Sequence, residues 1–464
     1  MEPTDKDRLI TLLSGYRQEH LLQFWDDLDL NQQANLREQI AAIDFDLMKE
    51  LSAGEKIKQD FSQLAARARP PKAYRFDDVS LNAGEIRSAA ENAISSGKLG
   101  VVLVAGGQGT RLGFPHPKGM FRLGPLSDRT LFQIHIDQLL AVSARYGVRI
   151  PLYLMTSPVT HDETVDFLQK HENFGLPPED LYIFCQGTMP AVDSEGKLLL
   201  ERPDRISLSP DGHGGMLAAF HSSGCLRDVT ERGLEQLFYF QVDNPLARIC
   251  DLDLVGYHLH ARSELTTQVV AKCSADEKVG NVVEVDGQIM VIEYSDLPAA
   301  AGERVRSDGS LELWAGNIAI HIFQVQFLIQ ATQEKSALSF HRALKKVPYL
   351  NEGGRVVVPD EPNATKFEKF IFDLMPQAKN AIVVEAAAEE VFAPVKNAVG
   401  AAKDSPETAR SAMIARDQHR LRAAGIVVGK QVDVEINPRF ALGLTEIRQK
   451  LDHVKSIDED TYFE

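Results

Sequence analysis

The sequence has few cysteines, and their spacing forms no recognisable motif. Only four occur among 464 residues, and no two of them form a CxxC pair. A scaffold held together by disulfides is therefore excluded. We expect Cys185, Cys225, Cys250 and Cys273 to be buried thiols with a structural role.

Long apolar runs and a secretory signal are also missing. No stretch of about 18 uninterrupted apolar residues occurs, so no membrane-spanning helix is predicted. The first segment, MEPTDKDRLITLLSGYRQEH, is charged and contains no apolar signal-peptide core. These absences predict a cytoplasmic protein that does not associate with a membrane.

An excess of positive charge is lacking as well. The formal net charge is −16, which excludes broad, non-specific binding of nucleic acid. A local group of arginines or lysines can still reverse the field around an anionic ligand. The composition, 44% hydrophobic and 25% charged, is that of a globular protein with one large domain and attachments, or with two or three modules.

The first part of the chain has a helical pattern. Leu36, Ile40, Ile43 and Leu47 recur at helical spacing, with polar residues between them. The apolar residues of LLQFWDDL, residues 21–28, predict the face of an earlier helix, and FDDVSLNAGEIRSAAENAISSGK resumes the pattern after Pro70 and Pro71. We predict a helical N-terminal region over residues 1–95.

Short β-rich runs alternate with amphipathic stretches from about residue 97 onward. The runs are GVVLVAG, PLYLMTS, LYIFCQG and LFYFQVDN, and TLFQIHIDQLLAVSARYG is a predicted helix between two of them. This alternation predicts an α/β fold with a largely parallel sheet. In NVVEVDGQIMVIEY the pair Asp286-Gly287 predicts a hairpin, which makes the sheet mixed.

The predicted domain order follows from these patterns. A catalytic α/β domain is expected over residues 96–393. Residues 394–464 are expected to form a small C-terminal α+β domain, with a helix followed by a strand pair around GIVVGKQVDVEINPRF.

The stretch VVLVAGGQGTRLGFPHPKG, residues 101–119, is the strongest candidate for a phosphate-binding loop. Glycines let backbone N–H groups approach a phosphate at the end of a strand, and Arg111 and Lys118 add positive charge. The stretch matches neither GxxxxGK[ST] nor GxGxxG, because Phe114 follows Gly113 and Leu112 takes the place of the third glycine. A tight structural turn is the alternative, but it does not require four glycines and two cations.

Two further segments are candidates for the same site. SPDGHGGM, residues 209–216, predicts a loop whose glycine backbone lies in close contact with other atoms. A surface hairpin turn is the alternative interpretation of this segment. In YFQVDNPLA, Asp243 stands at the end of a strand, where a carboxylate can hold Mg²⁺ together with phosphate oxygens. The alternative for a single aspartate is a turn or a helix cap.

Taken together, eight ordered motifs resemble a known family. LVAGGQGTRLGFPHPKGM, QGTMPAVDSEGK, SLSPDGHGG, VDNPLA, VIEYSDL, GNIAIHIF, KFEKFIFD and FAPVKNA look like the UDP-sugar pyrophosphorylases, and most like the UDP-N-acetylhexosamine pyrophosphorylases of eukaryotic type. The resemblance extends from QEHLLQFW to about residue 440.

The resemblance implies a Rossmann-like nucleotide-diphospho-sugar transferase fold and a uridylyl transfer. UTP and N-acetylglucosamine 1-phosphate, or its galactosamine epimer, would give the UDP-sugar and pyrophosphate with the help of Mg²⁺ or Mn²⁺. Such a reaction needs positioning and charge neutralisation but no covalent nucleophile. The resemblance implies neither a nucleic-acid nor a membrane partner, and it leaves the oligomeric state open.

Each motif carries an implied role for particular residues. Arg111, Lys118 and Lys396 would be catalytic cations, Asp243 would hold the metal, and Lys366 is a weaker phosphate-binding candidate. The nucleotide would contact Gly106, Gly107, Gly109, Gln186, Gly212 and His213, with Gln186 on the uracil edge. The sugar would contact Gly280, Glu293 and Asn317.

One departure is visible, since the family's loop commonly reads Pro-Asp-Gly-Asn-Gly-Gly and this chain has His213 at the asparagine position. A histidine there is bulkier and is expected to titrate near neutrality.

Three other functions compete with this interpretation. The first is a UDP-glucose or broad-specificity UDP-sugar pyrophosphorylase, although GNIAIHIF and VIEYSDL favour an N-acetylhexosamine pocket. The second is a non-catalytic nucleotide-sugar sensor, which would be expected to lack Asp243 or the phosphate cations. The third is a dehydrogenase, which the loop spacing disfavours.

Overall fold

The computed structural model describes residues 5–53, 61–75, 82–334 and 337–464. The chain divides into two compact units, each assembled from three segments. The first unit comprises Met1–Asp60, Gly187–Gly215 and Leu338–Ile371, and the second comprises Phe61–Gln186, Met216–Ala337 and Phe372–Glu464. The domain boundaries predicted at residues 95 and 393 stay predictions. The two compact units do not follow the predicted domain order, because each unit contains segments from the beginning, the middle and the later part of the chain.

A ten-stranded sheet organises the second unit. Its strands in chain order are β1 (Ala73–Tyr74), β2 (Leu99–Val104), β3 (Leu152–Thr156), β4 (Leu181–Cys185), β5 (Gln236–Gln241), β6 (Leu265–Ala271), β7 (Gly280–Val285), β8 (Gln288–Ile292), β9 (Ala315–Gln324) and β10 (Ala381–Glu385). The four runs predicted as strands before residue 245 correspond to β2, β3, β4 and β5.

The sheet is mixed, as predicted. Its spatial order is β1-β10-β6-β9-β5-β2-β3-β4, and β7 and β8 branch from β9. Strand β9 runs antiparallel to both β6 and β5, whereas the pairs β5–β2, β2–β3 and β3–β4 are parallel. The carboxyl ends of β2, β3, β4 and β5 therefore meet at one edge of the sheet, where ligands bind in open α/β sheets.

The hairpin between β7 and β8 is confirmed. Asp286 and Gly287 have φ angles of 52° and 83°, so both central residues adopt the left-handed conformation that a type I′ turn requires.

Helices pack against this sheet. Leu131–Tyr146, predicted from its amphipathic pattern, begins at Thr130, whose side chain accepts a hydrogen bond from the Gln133 N–H, and ends at Gly147 with φ 63°. Among the described residues, the other α-helices of the unit are Phe61–Arg67, Ala83–Ser95, His161–Lys170, Met216–Ser222, Cys225–Glu231, Leu252–His260, Ala299–Gly302, Val325–Gln333, Ala388–Val391, Pro406–Ala423 and Leu444–Lys450.

The C-terminal part contains the predicted helix, but its strands pair differently from the prediction. Val427–Val428 pairs with Ser456–Ile457, and Val434–Ile436 pairs with Thr461–Phe463, both in parallel. The prediction of one local strand pair around residues 425–440 was wrong, because each strand finds its partner in the last residues of the chain.

The first unit combines N-terminal helices with short strand pairs. Its helices are Asp5–Ser14, Leu30–Ala42 and Phe45–Ala53, and short 3₁₀ turns cover Glu19–Leu22, Trp25–Asp27 and His213–Gly215. Its strands are Thr188–Pro190, Leu200–Arg202, Arg205–Ile206, Leu208–Pro210, Phe340–Lys345, Tyr349–Leu350, Val356–Val357 and Ala364–Lys369.

The helical prediction for the N-terminal region holds only in part. The apolar series from Leu36 to Leu47 is divided between two helices, which are separated at Ile43 and Asp44. The segment predicted as a helical face around Leu21 and Trp25 forms 3₁₀ turns instead, although both side chains are buried. Part of FDDVSLNAGEIRSAAENAISSGK lies outside the described residues, and its remainder forms the helix Ala83–Ser95.

The N-terminal helices share their core with distant segments. Leu36 and Ile40 pack in one apolar cluster with Ile206 and Phe367. The Gln18 side chain donates to the Gly196 carbonyl over 2.9 Å and accepts from the Leu198 N–H over 2.9 Å. These contacts join residues that are far apart in the chain. For this reason the first unit cannot be recognised from the local composition of the sequence.

The burial of the cysteines differs from the prediction. Cys225 and Cys250 are buried, but Cys185 is partly exposed and Cys273 is exposed. The expectation of four buried thiols was therefore wrong for two of them. Among the described residues, no helix combines the length and the apolar character needed to span a bilayer.

Candidate active site

The loops after β2, β3 and β4 touch one another at the carboxyl edge of the sheet. The Ser157 hydroxyl donates to the Gly106 carbonyl over 2.8 Å. A Cβ atom on Gly106 would lie 3.4 Å from Nε2 of Gln186, which is buried, and 3.4 Å from Ser157. The structure thus brings together Gly106 and Gln186, and it adds Ser157, which carried no sequence signal.

The glycine-rich loop is folded back on itself. The Gly109 N–H donates to the His116 carbonyl over 2.8 Å, and the Lys118 N–H donates to the Gly107 carbonyl over 3.0 Å. A Cβ atom on Gly109 would lie 2.7 Å from the Phe114 carbonyl oxygen, whereas one on Gly107 would meet nothing within 4 Å. Gly109 is therefore required by the loop itself, and Gly107 presents an open surface.

The two predicted cations of this loop have different environments. Nζ of Lys118 lies 3.5 Å from Oδ2 of Asp243, and both side chains are mostly buried, at 17% and 13% exposure. The side chain of Arg111 is exposed, and it forms no ion pair within the described ranges. The structure thus brings Lys118 and Asp243 together and leaves Arg111 exposed.

Backbone contacts attach the Lys396 loop to the Asp243 loop. The Val395 N–H donates to the Asp243 carbonyl over 2.8 Å. The buried Asn244 side chain donates to the Val391 carbonyl over 2.8 Å and accepts from the Ala393 N–H over 3.1 Å. Lys396, which is partly buried, follows directly. Asn244 therefore fixes the position of the loop that carries Lys396. The sequence did not indicate this role, although Asn244 lies in the motif YFQVDNPLA.

A buried histidine supports the strand end before Asp243. Nε2 of His135 donates to the Val242 carbonyl over 3.0 Å, and burial lowers the pKa of His135 to about 4. The ring is therefore neutral at physiological pH and acts as a hydrogen-bond donor.

The three predicted sugar-binding residues form one cluster. Gly280 and Asn317 face each other across strands β7 and β9. A Cβ atom on Gly280 would lie 2.8 Å from Oε1 of Glu293, so the carboxylate rests directly against the glycine. The structure thus brings Gly280, Glu293 and Asn317 together, and their contact with a sugar stays a prediction.

A bulge fixes the Asn317 side chain. The register between β6 and β9 shifts between Gln268 and Val269, and Ala319 has a φ of 57°, which is unusual for alanine. Oδ1 of Asn317 accepts from the Ala319 N–H over 3.0 Å. This hydrogen bond supports the bulge and orients the amide.

The Pro-Asp-Gly-His-Gly-Gly loop belongs to the first unit, where its glycines meet protein atoms. Gly212 has a φ of 85°, and a Cβ atom there would lie 2.4 Å from the Lys369 carbonyl oxygen. On Gly215 it would lie 2.0 Å from Oδ1 of Asp211. The close approach predicted for this loop is thus explained by the strand Ala364–Lys369 and by Asp211, and contact with a nucleotide stays a prediction for Gly212.

His213 is held as a neutral ring. Its Nδ1 accepts from the Ile371 N–H over 3.3 Å, and the ring stacks on Phe370 with centroids 5.3 Å apart. Burial, followed by the nearby His341, lowers the pKa of His213 to about 4. The expectation that it titrates near neutrality was wrong, because the ring is crowded by protein atoms.

Two charged residues of the first unit, Asp211 and Lys366, have perturbed pKa values. Burial raises the pKa of Asp211 to about 6, and the charge of Lys369 opposes this shift. Burial lowers the pKa of Lys366, which is only partly exposed and pairs with Ala343 across two strands. Lys366 is therefore not a solvated surface charge. The sequence assigned no role to Asp211, which lies in the Pro-Asp-Gly-His-Gly-Gly loop, or to Lys369, whose charge acts on it.

The single carboxylate of Asp243 is compatible with a divalent metal ion that phosphate oxygens of a ligand also coordinate. Within the described ranges no group of three or more His, Cys, Asp or Glu side chains could hold a metal ion. Mg²⁺ usually keeps several waters and binds one or two carboxylates together with phosphate oxygens. The single carboxylate of Asp243, at the strand edge and 13% exposed, fits this requirement.

Comparisons with known proteins agree with this architecture. Residues 46–455 match the family model described as UTP–glucose-1-phosphate uridylyltransferase. The chain is 39% identical to human UDP-N-acetylhexosamine pyrophosphorylase-like protein 1, over 88% of this chain and 84% of the relative. It is 37% identical to the UDP-N-acetylglucosamine pyrophosphorylase of Saccharomyces cerevisiae, over 75% of each protein. The crystal structure of the Trypanosoma brucei uridine diphosphate N-acetylglucosamine pyrophosphorylase matches with a TM-score of 0.83 and 24% identity, over 100% of this chain and 99% of that one.

Proposed function

The chain belongs to the UTP–glucose-1-phosphate uridylyltransferase family, and we propose that it forms UDP-N-acetylglucosamine and pyrophosphate from UTP and N-acetylglucosamine 1-phosphate. The observation that carries this proposal is the 37% identity, over 75% of the chain, to a relative named UDP-N-acetylglucosamine pyrophosphorylase. N-acetylgalactosamine 1-phosphate is a second candidate substrate, because the two sugars differ at one hydroxyl.

The reaction is an in-line displacement at the α-phosphorus of UTP. An oxygen of the sugar phosphate forms the new P–O bond, and pyrophosphate leaves with the electron pair of the broken bond. The protein's task is to align the two substrates and to neutralise the charge that develops on the leaving group.

The cations at the sheet edge support the first part of this task. Lys118, mostly buried beside Asp243, would contact the triphosphate, and Lys396 would approach from the loop that Asn244 holds. Arg111 is exposed and would close over the pyrophosphate portion. Gly107 offers open backbone to the nucleotide, and the buried Gln186 amide offers a donor and an acceptor to uracil.

The cluster around Gly280 supports the second part. Glu293 would accept hydrogen bonds from sugar hydroxyls, and Asn317, oriented by the bulge, would face the N-acetyl group. Gly280 leaves room for the Glu293 carboxylate, since a side chain there would displace it. Gly212, His213 and Lys366 stay predicted contacts from the first unit.

A divalent cation fits at Asp243. Bound there with phosphate oxygens, Mg²⁺ or Mn²⁺ would supply charge neutralisation at the α-phosphate. Asp243 would hold the metal, and Lys118 beside it would contact the phosphates.

A UDP-glucose pyrophosphorylase is the alternative within the family. The relatives named for N-acetylated sugars cover most of the chain, and this favours the N-acetylhexosamine substrate.

The test is a reaction with purified protein, UTP, N-acetylglucosamine 1-phosphate and Mg²⁺, with the products identified by mass spectrometry. We expect UDP-N-acetylglucosamine and pyrophosphate in equal amounts, and the reverse reaction when both products are supplied. A folded protein that forms no UDP-sugar from any of the three candidate sugar phosphates would refute the proposal.

A further inference from the structure

A small cavity in the second unit is lined by four arginines that have no role in the proposed reaction. Its volume is about 140 Å³, and its walls include the end of the helix Leu131–Tyr146, residues 248–252 and the helix Pro406–Ala423. The arginines are Arg145, Arg248, Arg416 and Arg420.

The arginines differ in exposure. Arg416 and Arg420 stand four residues apart on one face of their helix, and their side chains are 8% and 17% exposed. Arg145 and Arg248 are 34% and 43% exposed. The cavity therefore has a buried cationic part and a part that solvent reaches.

Each arginine already contacts one carboxylate, but these contacts leave most of its donors unused. The pairs are Arg145–Glu446 at 3.2 Å, Arg248–Asp251 at 3.0 Å, Arg416–Asp417 at 2.9 Å and Arg420–Glu390 at 3.1 Å. A guanidinium has five N–H donors. In the described part of the chain, Arg416 makes one side-chain hydrogen bond, from Nε to Asp417, and Arg420 makes one, from Nη2 to Glu390. Neither arginine has a buried nitrogen without a partner among the described residues, so their other N–H groups are accessible to water or to a ligand.

Two of the carboxylates are committed to the backbone. Oδ1 of Asp251 accepts from the N–H groups of Asp253 and Leu254 at the start of a helix. Oδ2 of Asp417 accepts from the Ile436 N–H over 2.8 Å. These carboxylates are fixed in place, so they cannot turn to satisfy the other arginine donors.

The clustered positive charges act against one another. Burial lowers the pKa of Arg420 to about 10, and Arg416 and Arg248 lower it further, while Asp417 and Glu390 oppose the shift. An anion in the cavity would relieve this repulsion and use the free N–H groups.

We propose that this cavity is a second anion site that binds a small phosphate-class oxyanion, either orthophosphate or pyrophosphate, through Arg145, Arg248, Arg416 and Arg420. Planar guanidinium groups match the geometry of phosphate oxygens. A volume of about 140 Å³ admits such an ion and is too small for a nucleotide, since drug-sized ligands occupy pockets of roughly 300 Å³ or more.

The test is calorimetric titration of orthophosphate and of pyrophosphate, separately, into the full-length Lys118→Ala variant at fixed ionic strength. This background weakens the predicted triphosphate site and does not depend on catalysis. Because Arg111 and Lys396 remain, the part of the signal that comes from the cavity is the difference between the pocket variant and the control variant described next. The pocket variant adds Arg145→Gln and Arg248→Gln. The matched control adds Arg122→Gln and Arg227→Gln, which remove the same charge from side chains that are 69% and 80% exposed.

We expect the pocket variant to raise the Kd of the tighter anion by at least about tenfold and the control to change it less than about twofold, because each lost charged hydrogen bond weakens binding by about 1.5–3 kcal/mol. Arg420→Lys keeps the positive charge beside Glu390 but loses the planar guanidinium group. This variant should also weaken anion binding, and it replaces the double variant if that protein does not fold. Absence of binding in the Lys118→Ala background, or equal weakening in pocket and control variants, would overturn the proposal.

Discussion

At the scale of single residues, the candidate site depends on charged side chains whose positions are fixed by neutral neighbours. Lys118 lies beside Asp243, and Lys396 follows a loop that is attached to the Asp243 backbone. The neighbours that create this arrangement are Asn244 and His135, both buried. Removing a cation and removing its support should therefore have different kinetic consequences.

Lys396→Ala tests the cation itself. We expect kcat to fall by about 100-fold, the order of magnitude for loss of one group that stabilises developing negative charge. The matched control is Lys403→Ala, an exposed lysine that follows in the same segment and should retain parental kcat. Steady-state assays of pyrophosphate release measure both, and equal rates in the two variants would contradict the assignment.

Asn244→Leu tests the support. The variant leaves the Val391 carbonyl and the Ala393 N–H without their partner, at a cost of about 1–3 kcal/mol for each buried group. We expect kcat to fall by about tenfold or more, with a smaller change in the KM for UTP.

Asn437→Leu is the matched control for this loss of stability. It removes hydrogen bonds to the Arg439 N–H and the Tyr462 hydroxyl in the C-terminal part. It should lower Tm similarly and leave kcat unchanged, and a parallel loss of kcat in both variants would show that Asn244 has no positioning role.

The lowered pKa of His213 predicts how the free energy of unfolding changes with pH. Its pKa is lowered from 6.5 to about 4 in the folded protein, so between these values the unfolded chain binds a proton that the folded chain does not. Its contribution to the free energy of unfolding is therefore present above pH 6.5 and lost as the pH falls to about 4, by about 3 kcal/mol at most.

The measurement is urea denaturation at several pH values. His213→Gln should show a shallower decline in the free energy of unfolding than the parent, and a change at the exposed His453, made as His453→Gln, should not. Asp211, whose pKa is raised to about 6, has the opposite sign and reduces the parent's decline. Identical slopes in the parent and His213→Gln would contradict the burial of this ring.

At the scale of elements, the glycine-rich loop combines two uses of glycine. Gly109 is enclosed by Phe114 and His116 of the same loop, whereas Gly107 faces open space. The sequence predicts the same role for both, because a glycine required by the loop and a glycine required by a ligand look alike in one dimension.

Alanine substitutions separate the two uses. Gly109→Ala should destabilise the protein by about 1–3 kcal/mol, since the new Cβ atom would overlap the Phe114 carbonyl. Gly107→Ala should leave Tm within about 1 °C of the parent, because its Cβ atom would meet no protein atom within 4 Å. It should raise the KM for UTP, because the same atom would intrude on the proposed nucleotide position. Thermal denaturation and steady-state kinetics give both values, and an unchanged KM in Gly107→Ala would show that the nucleotide does not approach there.

Elements with local signals are predictable from the sequence. Asp286-Gly287 specifies its turn through two positive φ angles, and Thr130 and Gly147 cap the helix between them. The C-terminal strands were misassigned because their partners, Ser456–Ile457 and Thr461–Phe463, are two or three residues long and lie up to 29 residues away. Pairing at that distance depends on tertiary packing and not on propensity.

The site shows the same division. Motifs predicted that Gly280, Glu293 and Asn317 lie together, and the strand register places them so. Ser157, His135 and Asp211 were missed because a lone serine, histidine or aspartate carries no signal until its neighbours are known.

At the scale of the whole molecule, an acidic chain concentrates cations where phosphates are expected. The net charge is −16, yet Lys118, Lys396 and Arg111 belong to loops at or beside one sheet edge, and four arginines surround a separate cavity. Such local fields can attract polyphosphates while the overall charge disfavours nucleic acids.

The measurement that tests the central claim most directly is kcat/KM for three sugar 1-phosphates with UTP and Mg²⁺ under identical conditions. N-acetylglucosamine 1-phosphate, N-acetylgalactosamine 1-phosphate and glucose 1-phosphate differ only where Glu293 and Asn317 are proposed to act. We predict that N-acetylglucosamine 1-phosphate has the highest kcat/KM and exceeds glucose 1-phosphate by at least about tenfold, the discrimination worth about 1.4 kcal/mol. A kcat/KM for glucose 1-phosphate equal to or above that for N-acetylglucosamine 1-phosphate would contradict the account.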